Sequence, residues 1–278
     1  MKTLAIIGPG LLGGSIALAA RRAGGLRTGL WARRAAAVAE IAAMGIADAA
    51  STDLRSIVAE ADFIVLCVPI GAMPALAREI AGAISPRATV TDVGSVKASV
   101  VAELGAILGG RFVGSHPMAG SEQTGLGAAR AELFDGAACI VTPDAASDAS
   151  ATAEVRAFWQ TLGARVLEVA PAAHDEIVAL VSHLPHLLAA TLVQTVLAEN
   201  ARAFEFCGPG FRDTTRVAAG PPAMWAEILR TNRDAVRKSA EAMIEKLRGI
   251  ITLLGQDEPM TAFLTQAKAQ RDRLRPLK

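Results

Sequence analysis

The stretch GSHPMAGSE, residues 114–122, gathers a histidine, a proline, two glycines, two serines and a glutamate in a chain that is otherwise mostly aliphatic. Histidine exchanges protons near neutrality, with an unperturbed pKa of about 6.5, so His116 in so tight and polar a loop is a candidate acid or base. The other three histidines, His174, His183 and His186, fall close together downstream. In SHLPH, residues 182–186, His183 and His186 lie one helical turn apart on one face, beside Ser182, with Pro185 kinking or starting the helix. A metal centre there would need a third ligand and an open position. No HExxH or Cys/His cluster supplies them, so no metal is expected. Core histidines satisfied by hydrogen bonds are the plainer alternative, weakened by the repetition of polar groups along one apolar helix.

A second chemistry opens the chain. Residues 3–7 are a short apolar run suited to a buried parallel strand, followed by GPGLLG at 8–13 and a helix-forming segment at 15–22. Gly8 permits the tight turn, Gly10 leaves room for a pyrophosphate, and Gly13 lets helix and strand pack closely. The helix start at Leu11 and Leu12 presents free N–H groups to phosphates. The same run has the outline of a secretory signal, but its glycines and Pro9 break the apolar core that a signal needs.

These residues need a frame. Strands are expected at 27–31, 63–68 and 89–93 and around 112 and 139–141, with helices at 35–44, 73–83 and 98–108. Such alternation implies an α/β fold with a Rossmann-type, doubly wound parallel sheet, whose ligands sit beyond the carboxyl ends of the strands. Residues 8–13, 68–70, 94–97 and 115–122 each follow a strand and would line one crevice. From about 170 the texture turns helical, at 174–200, 224–254 and 259–273. A boundary near Val169 follows, with a dinucleotide-binding domain over 1–169 and an all-helical domain over 170–278. The second half is more apolar than its own core requires, so its helices are expected to be shared between the two copies of a homodimer.

The chain of 278 residues is long enough for two domains, and 52% hydrophobic against 20% charged residues marks it as globular. A net charge of +1 gives no electrostatic case for nucleic acid or an acidic membrane surface. Pro, Gly or charge interrupts every segment before the ~18 apolar residues of a membrane span. Cys67, Cys139 and Cys207, odd in number and far apart, read as reduced thiols of a cytoplasmic protein.

Five motifs occur in order over nearly the whole chain: GPGLLGGS at 8–15, DVGSVK at 92–97, HPMAGSE at 116–122, SHLPH at 182–186, and FRDTTR at 211–216 followed by Met224 and Trp225. Together they resemble the prephenate and arogenate dehydrogenases of tyrosine biosynthesis, in their short, monofunctional form. The resemblance implies oxidative decarboxylation of prephenate to 4-hydroxyphenylpyruvate, or of arogenate to tyrosine, with hydride transfer to NAD(P). It makes His116 the base or hydrogen-bond acceptor for the ring hydroxyl, with Ser95 bonding the same hydroxyl. Arg216 matches a substrate-carboxylate arginine, with Arg212 as its competitor. Ser182, His183 and His186, with Ser121 and Trp225, would close the pocket, and Glu122 would gate its mouth.

The cofactor would lie on Gly8, Gly10, Leu11, Leu12 and Gly13, flanked by Ala32, Arg33, Arg34, Val68, Pro69 and Gly94. An NAD enzyme commonly places a carboxylate after the second strand; here the sequence reads Trp31, Ala32, Arg33, Arg34, and two arginines there favour the 2′-phosphate of NADP. A histidine at 186, where an acid or amide would suit an amine, favours prephenate over arogenate. Two other readings compete. Another β-hydroxyacid or imine dehydrogenase gives no reason for HPMAGSE and SHLPH together, and a non-catalytic cofactor sensor has no need of Ser95, His116 and Arg216.

Overall fold

The computed structural model describes residues 2–120 and 123–274. Five strands, β1 (Lys2–Ile7), β2 (Leu26–Trp31), β3 (Ala49–Ser51), β4 (Phe63–Leu66) and β5 (Thr89–Asp92), pair in parallel in the order β3-β2-β1-β4-β5. Helices α1 (Leu11–Ala23), α2 (Ala35–Met44), α3 (Leu54–Val58), α4 (Met73–Ala81) and α5 (Ala98–Leu108) follow the strands in turn. The central strands are apolar on both faces because both are covered. Leu4, Ile6 and Val65 join one core with Ile16 and Trp159, while Ala5, Ile7 and Ile64 join the other with Ile80 and Leu104. The order reverses between β1 and β4, which opens a crevice at their carboxyl ends. Gly8 leaves one of these strands and Val68 the other.

The strands expected around 112 and 139–141 do not extend this sheet. β6 (Gly114–Pro117), β7 (Ala138–Thr142) and β8 (Arg165–Glu168) form a second sheet, with β6 antiparallel to β7 and β7 parallel to β8. A single parallel bridge, Val90 to Phe112, carries the chain from one sheet to the other. Between β7 and β8 runs α6 (Ala149–Thr161), whose Phe158 stacks on Phe63 and whose Trp159 meets Phe134 edge-on. His116 therefore lies on a strand rather than in a loop, and β3, α3, α6 and β8 are additions to the expected elements.

In the second half, α7 (Pro171–Val178) passes through a π-helical turn at Ala179–His183 into α8 (Leu184–Glu199). The widened turn falls just ahead of Pro185, which lacks the N–H for a regular ladder. This stretch, Pro171–Glu199, is long and apolar enough to cross a membrane, with a mean hydropathy of 1.6 over its most apolar window. It buries His174, Asp175, His183 and His186 against the rest of the chain and leaves much of its apolar face exposed. α9 (Pro209–Thr215), α10 (Pro222–Thr231), α11 (Arg233–Leu253) and α12 (Asp257–Asp272) complete the chain, with α10 and α11 parted at Asn232 where one helix was expected.

Two carboxylates hook the helical half onto the carboxyl edge of the main sheet. Asp175 accepts the amides of Lys97 at 2.7 Å and Ala98 at 2.9 Å, capping α5 from another part of the chain. Glu227 on α10 accepts the Gly71 amide at 2.7 Å, in the turn that follows β4.

Candidate active site

The site is built outward from a wholly buried ion pair, Asp92 at the end of β5 and Lys97 five residues on. Asp92 Oδ2 accepts both the Lys97 ammonium and, at 2.7 Å, the Gly94 amide, folding the segment after β5 into a tight loop around Ser95. The same pair holds β6. The Ser115 amide donates to Asp92 Oδ1 at 3.2 Å, its hydroxyl donates to the Asp92 carbonyl at 2.6 Å, and Lys97 Nζ donates to the Ser115 carbonyl at 3.0 Å. Trp159 Nε1 donates to the Ser115 hydroxyl at 2.9 Å from the far side. Ser115 is thus fixed on all its polar atoms, and its neighbour His116 is carried into a defined position.

His116 is buried, and its Nδ1 lies 2.9 Å from Nε2 of His174 on α7; His174 Nδ1 lies 2.8 Å from Asp175 Oδ1. Burial holds His116 well below the ordinary value of 6.5, and the nearby His174, Lys97 and His183 push it further the same way. His174 is lowered by burial too, against the opposing hydrogen bond from Asp175. Both rings are therefore neutral at physiological pH, and a buried neutral imidazole can accept a proton from a substrate hydroxyl.

The helical half supplies the opposite wall. His183 Nδ1 and the Asn232 amide nitrogen are 3.1 Å apart. Burial pushes His183 down to about 4, against opposing pulls from Asp175 and the Ser95 backbone, and its Nε2 makes no hydrogen bond of ordinary geometry among the described residues. His186 stacks flat on Trp225, ring centres 3.6 Å apart and planes within 10°. Gly220 leaves the room for that stack, since a Cβ there would come within 2.4 Å of Trp225 Nε1. Ser182 is half-buried on the π-turn, and Arg216, which is engaged with other groups, sits at the exposed end of the same wall. Ser121 and Glu122 lie outside the described residues. The sequence motifs 92–97, 116–117, 182–186 and Trp225 thus converge, through hydrogen bonds and ring contacts, on one wall-to-wall cluster.

The residues expected to hold a cofactor are shaped to fit a dinucleotide. Gly8 has φ +116°, and a Cβ at Gly13 would come within 1.9 Å of the Gly8 carbonyl, so both positions demand glycine. A Cβ at Gly10 would meet no protein atom within 4 Å, which leaves that side of the turn open to a ligand. No side chain caps α1, so the amides at Leu11 and Leu12 are not claimed by a capping side chain. Ala32 is buried and ties to Ser51 through its amide, 3.1 Å from that carbonyl, while Arg33 and Arg34 are exposed at the start of α2. Val68 packs against Gly8, Pro69 is exposed, and Gly94 is buried.

The sequence alone gives Asp92 and Lys97 of DVGSVK no role and shows His174 without its partners. Asp175 and Asn232 went unnoticed. Two opposite charges flanking an otherwise small and apolar segment, and an adjacent His-Asp pair inside an apolar helix, were the available signals.

Comparison with known proteins bears on this arrangement. Residues 16–168 match the family model of the prephenate dehydrogenase nucleotide-binding domain, and residues 170–266 that of the prephenate dehydrogenase dimerization domain. The chain is 35% identical to the prephenate dehydrogenase of Bacillus subtilis over 98% of its own length and 76% of the relative's. The crystal structure of Aquifex aeolicus prephenate dehydrogenase with hydroxyphenyl propionate and NAD+ superposes with a TM-score of 0.92 at 32% identity, covering 98% of this chain and 97% of that one. Synechocystis arogenate dehydrogenase superposes with a TM-score of 0.85 at 31% identity, covering 98% and 99%.

The buried rings give stability a pH signature. Unfolded histidines protonate near 6.5, whereas the folded chain resists protonation until lower pH, to about 4 at His183. Between those values the unfolded chain binds more protons. Stability is therefore full above about 6.5 and lost as pH falls toward about 4, with His183 alone contributing about 3 kcal/mol. Urea midpoints measured across that window should fall steadily with acid, and His183→Gln should flatten the fall.

Proposed function

The chain belongs to the prephenate dehydrogenase family, and from that premise we propose that it converts prephenate to 4-hydroxyphenylpyruvate, with loss of CO2 and transfer of hydride to NAD(P). The observation that carries this is a neutral, buried His116 held against His174, where the helical half brings its other histidines and Trp225. A bound nicotinamide would supply the acceptor for the hydride on the ring carbon that carries the hydroxyl. His116 accepts the hydroxyl's proton as that carbon turns electron-poor, and Ser95 orients the oxygen. The electron pair of the breaking carboxylate bond closes the aromatic ring as CO2 leaves. Prephenate dianion and the oxidised cofactor give the product monoanion, CO2 and reduced cofactor with no net proton, so His116 returns what it takes. Arg216 offers a planar, two-pronged donor to a carboxylate, and Ser182, His183 and His186 close the pocket from a domain that we divide from the first near Val169.

The finer assignments rest on particular side chains. Arg33 and Arg34, exposed where the adenosine ribose would lie and without a carboxylate among them, favour NADP, although the Aquifex relative was crystallised with NAD+. The imidazole of His186 favours the keto side chain of prephenate over the amine of arogenate. The exposed face of Pro171–Glu199, with Leu180 56% and Val181 61% accessible, together with Ile251 and Leu254 on and beyond α11, supports a homodimer through the helical half.

Crossing prephenate and arogenate with NAD and NADP in a spectrophotometric assay tests the reading, and prephenate with NADP should give the highest kcat/KM. Replacing Arg33 and Arg34 with neutral residues should raise the KM for NADP far more than that for NAD. Reduction of cofactor by simple 3-hydroxy acids and by neither cyclohexadiene would defeat the proposal.

The same assay separates chemistry from binding. His116→Asn should lower kcat by ~10² or more with substrate KM little changed, whereas Arg216→Ala should chiefly raise substrate KM. Neither should alter cofactor affinity. An Arg216→Ala enzyme with normal KM would pass the carboxylate to Arg212.

A further inference from the structure

We propose that His174 and Asp175 are positioning residues that make Nε2 of His116 the nitrogen which accepts the substrate's proton. This deepens the reading of His116 as the base and rests on it. Donors and acceptors fix the order of protons along this row. An ionised carboxylate can only accept, so Asp175 Oδ1, at 2.8 Å, requires a proton on His174 Nδ1. A neutral imidazole carries one N–H, which leaves His174 Nε2 with its lone pair. His116 Nδ1, 2.9 Å away, must then donate, and its own lone pair is left on Nε2. The opposite order would press a ring lone pair against a carboxylate. Burial acts in the same direction by keeping both rings neutral, because a protonated His174 would donate from both nitrogens and leave His116 with its proton on Nε2.

The anchor of this chain cannot turn. Asp175 Oδ1 also accepts the Lys97 amide at 2.7 Å, Oδ2 accepts the Ala98 amide at 2.9 Å, and the Asp175 carbonyl accepts from Asn232 at 2.8 Å. The carboxylate sits at the positive end of α5, where its charge is favoured. Ser95 lies on the segment leading into that helix. One side chain from the helical half thus sets both the tautomer of His116 and the start of the helix after Ser95, and the set is complete only when the two halves are docked.

Histidine-15N NMR, assigned by comparison with His116→Asn, reads the tautomer directly. The wild type should show His116 protonated on Nδ1 and bare on Nε2. His174→Leu, which leaves the Asp175 cap intact, should give a tautomer mixture and a kcat lowered at least ~10-fold, with cofactor Kd within about twofold of normal. His174→Gln, whose amide can accept from His116 and donate to Asp175, should keep most of the activity. A wild-type His116 protonated on Nε2, or a His174→Leu enzyme with normal tautomer and kcat, overturns the proposal. Should the leucine variant not fold, the wild-type spectrum and the glutamine variant decide it. If His116→Asn itself keeps normal kcat, it is the reading of His116 as the base that fails, whatever the tautomer.

Discussion

The pairing of Asp92 with Lys97 is the interaction on which the rest of the site depends. Both side chains are wholly buried, and a buried pair is costly to form and costlier to break: removing one partner strands the other, at about 3–5 kcal/mol. Such a pair is poor evidence of stability for its own sake. Here it is satisfied by the Gly94 amide and by the Ser115 amide and carbonyl, so it does geometric work. The strand end that would direct a cofactor and the strand that carries His116 belong to two different sheets, with one parallel bridge between their chains. The ion pair is the polar bolt that fixes their relative position.

A second constraint follows from building a site between two halves. Each half leaves polar groups that only the other satisfies: the first turn of α5 receives Asp175, the turn after β4 receives Glu227, and His116 receives His174. Separating the halves would expose backbone amides and leave buried imidazoles without partners, so undocking is opposed by several hydrogen bonds at once. Docking also removes water from around the histidines, and that desolvation keeps them unprotonated and ready to accept. Position and basicity of His116 thus have one origin.

What the sequence disclosed is what depends on neighbours in the chain. The glycine turn was legible because Gly8 and Gly13 are demanded by contacts with the turn itself and the adjoining strand. Likewise the two-faced apolar strands β1 and β4 were legible as short apolar runs, each followed closely by a glycine or proline. The strand at 114–117 was not legible, because its four residues are spent on buried polar work and read as a loop motif. Asp92 finds Ser115 across 23 residues and His116 finds His174 across 58, pairings that exist only after two sheets and two domains have met. Asn232, which parts α10 from α11, was hidden in what reads as one continuous helix.

The central claim is that a histidine held neutral by burial carries the proton chemistry, and the pH dependence of kcat/KM for prephenate tests it most directly. Activity requires unprotonated His116, whose protonation burial pushes well below 6.5, so the acid limb should lie below pH 6.5 in the wild type. In His116→Asn the residual rate should show no such limb. A limb at or above pH 6.5, or one that survives unchanged in the asparagine variant, would contradict the account.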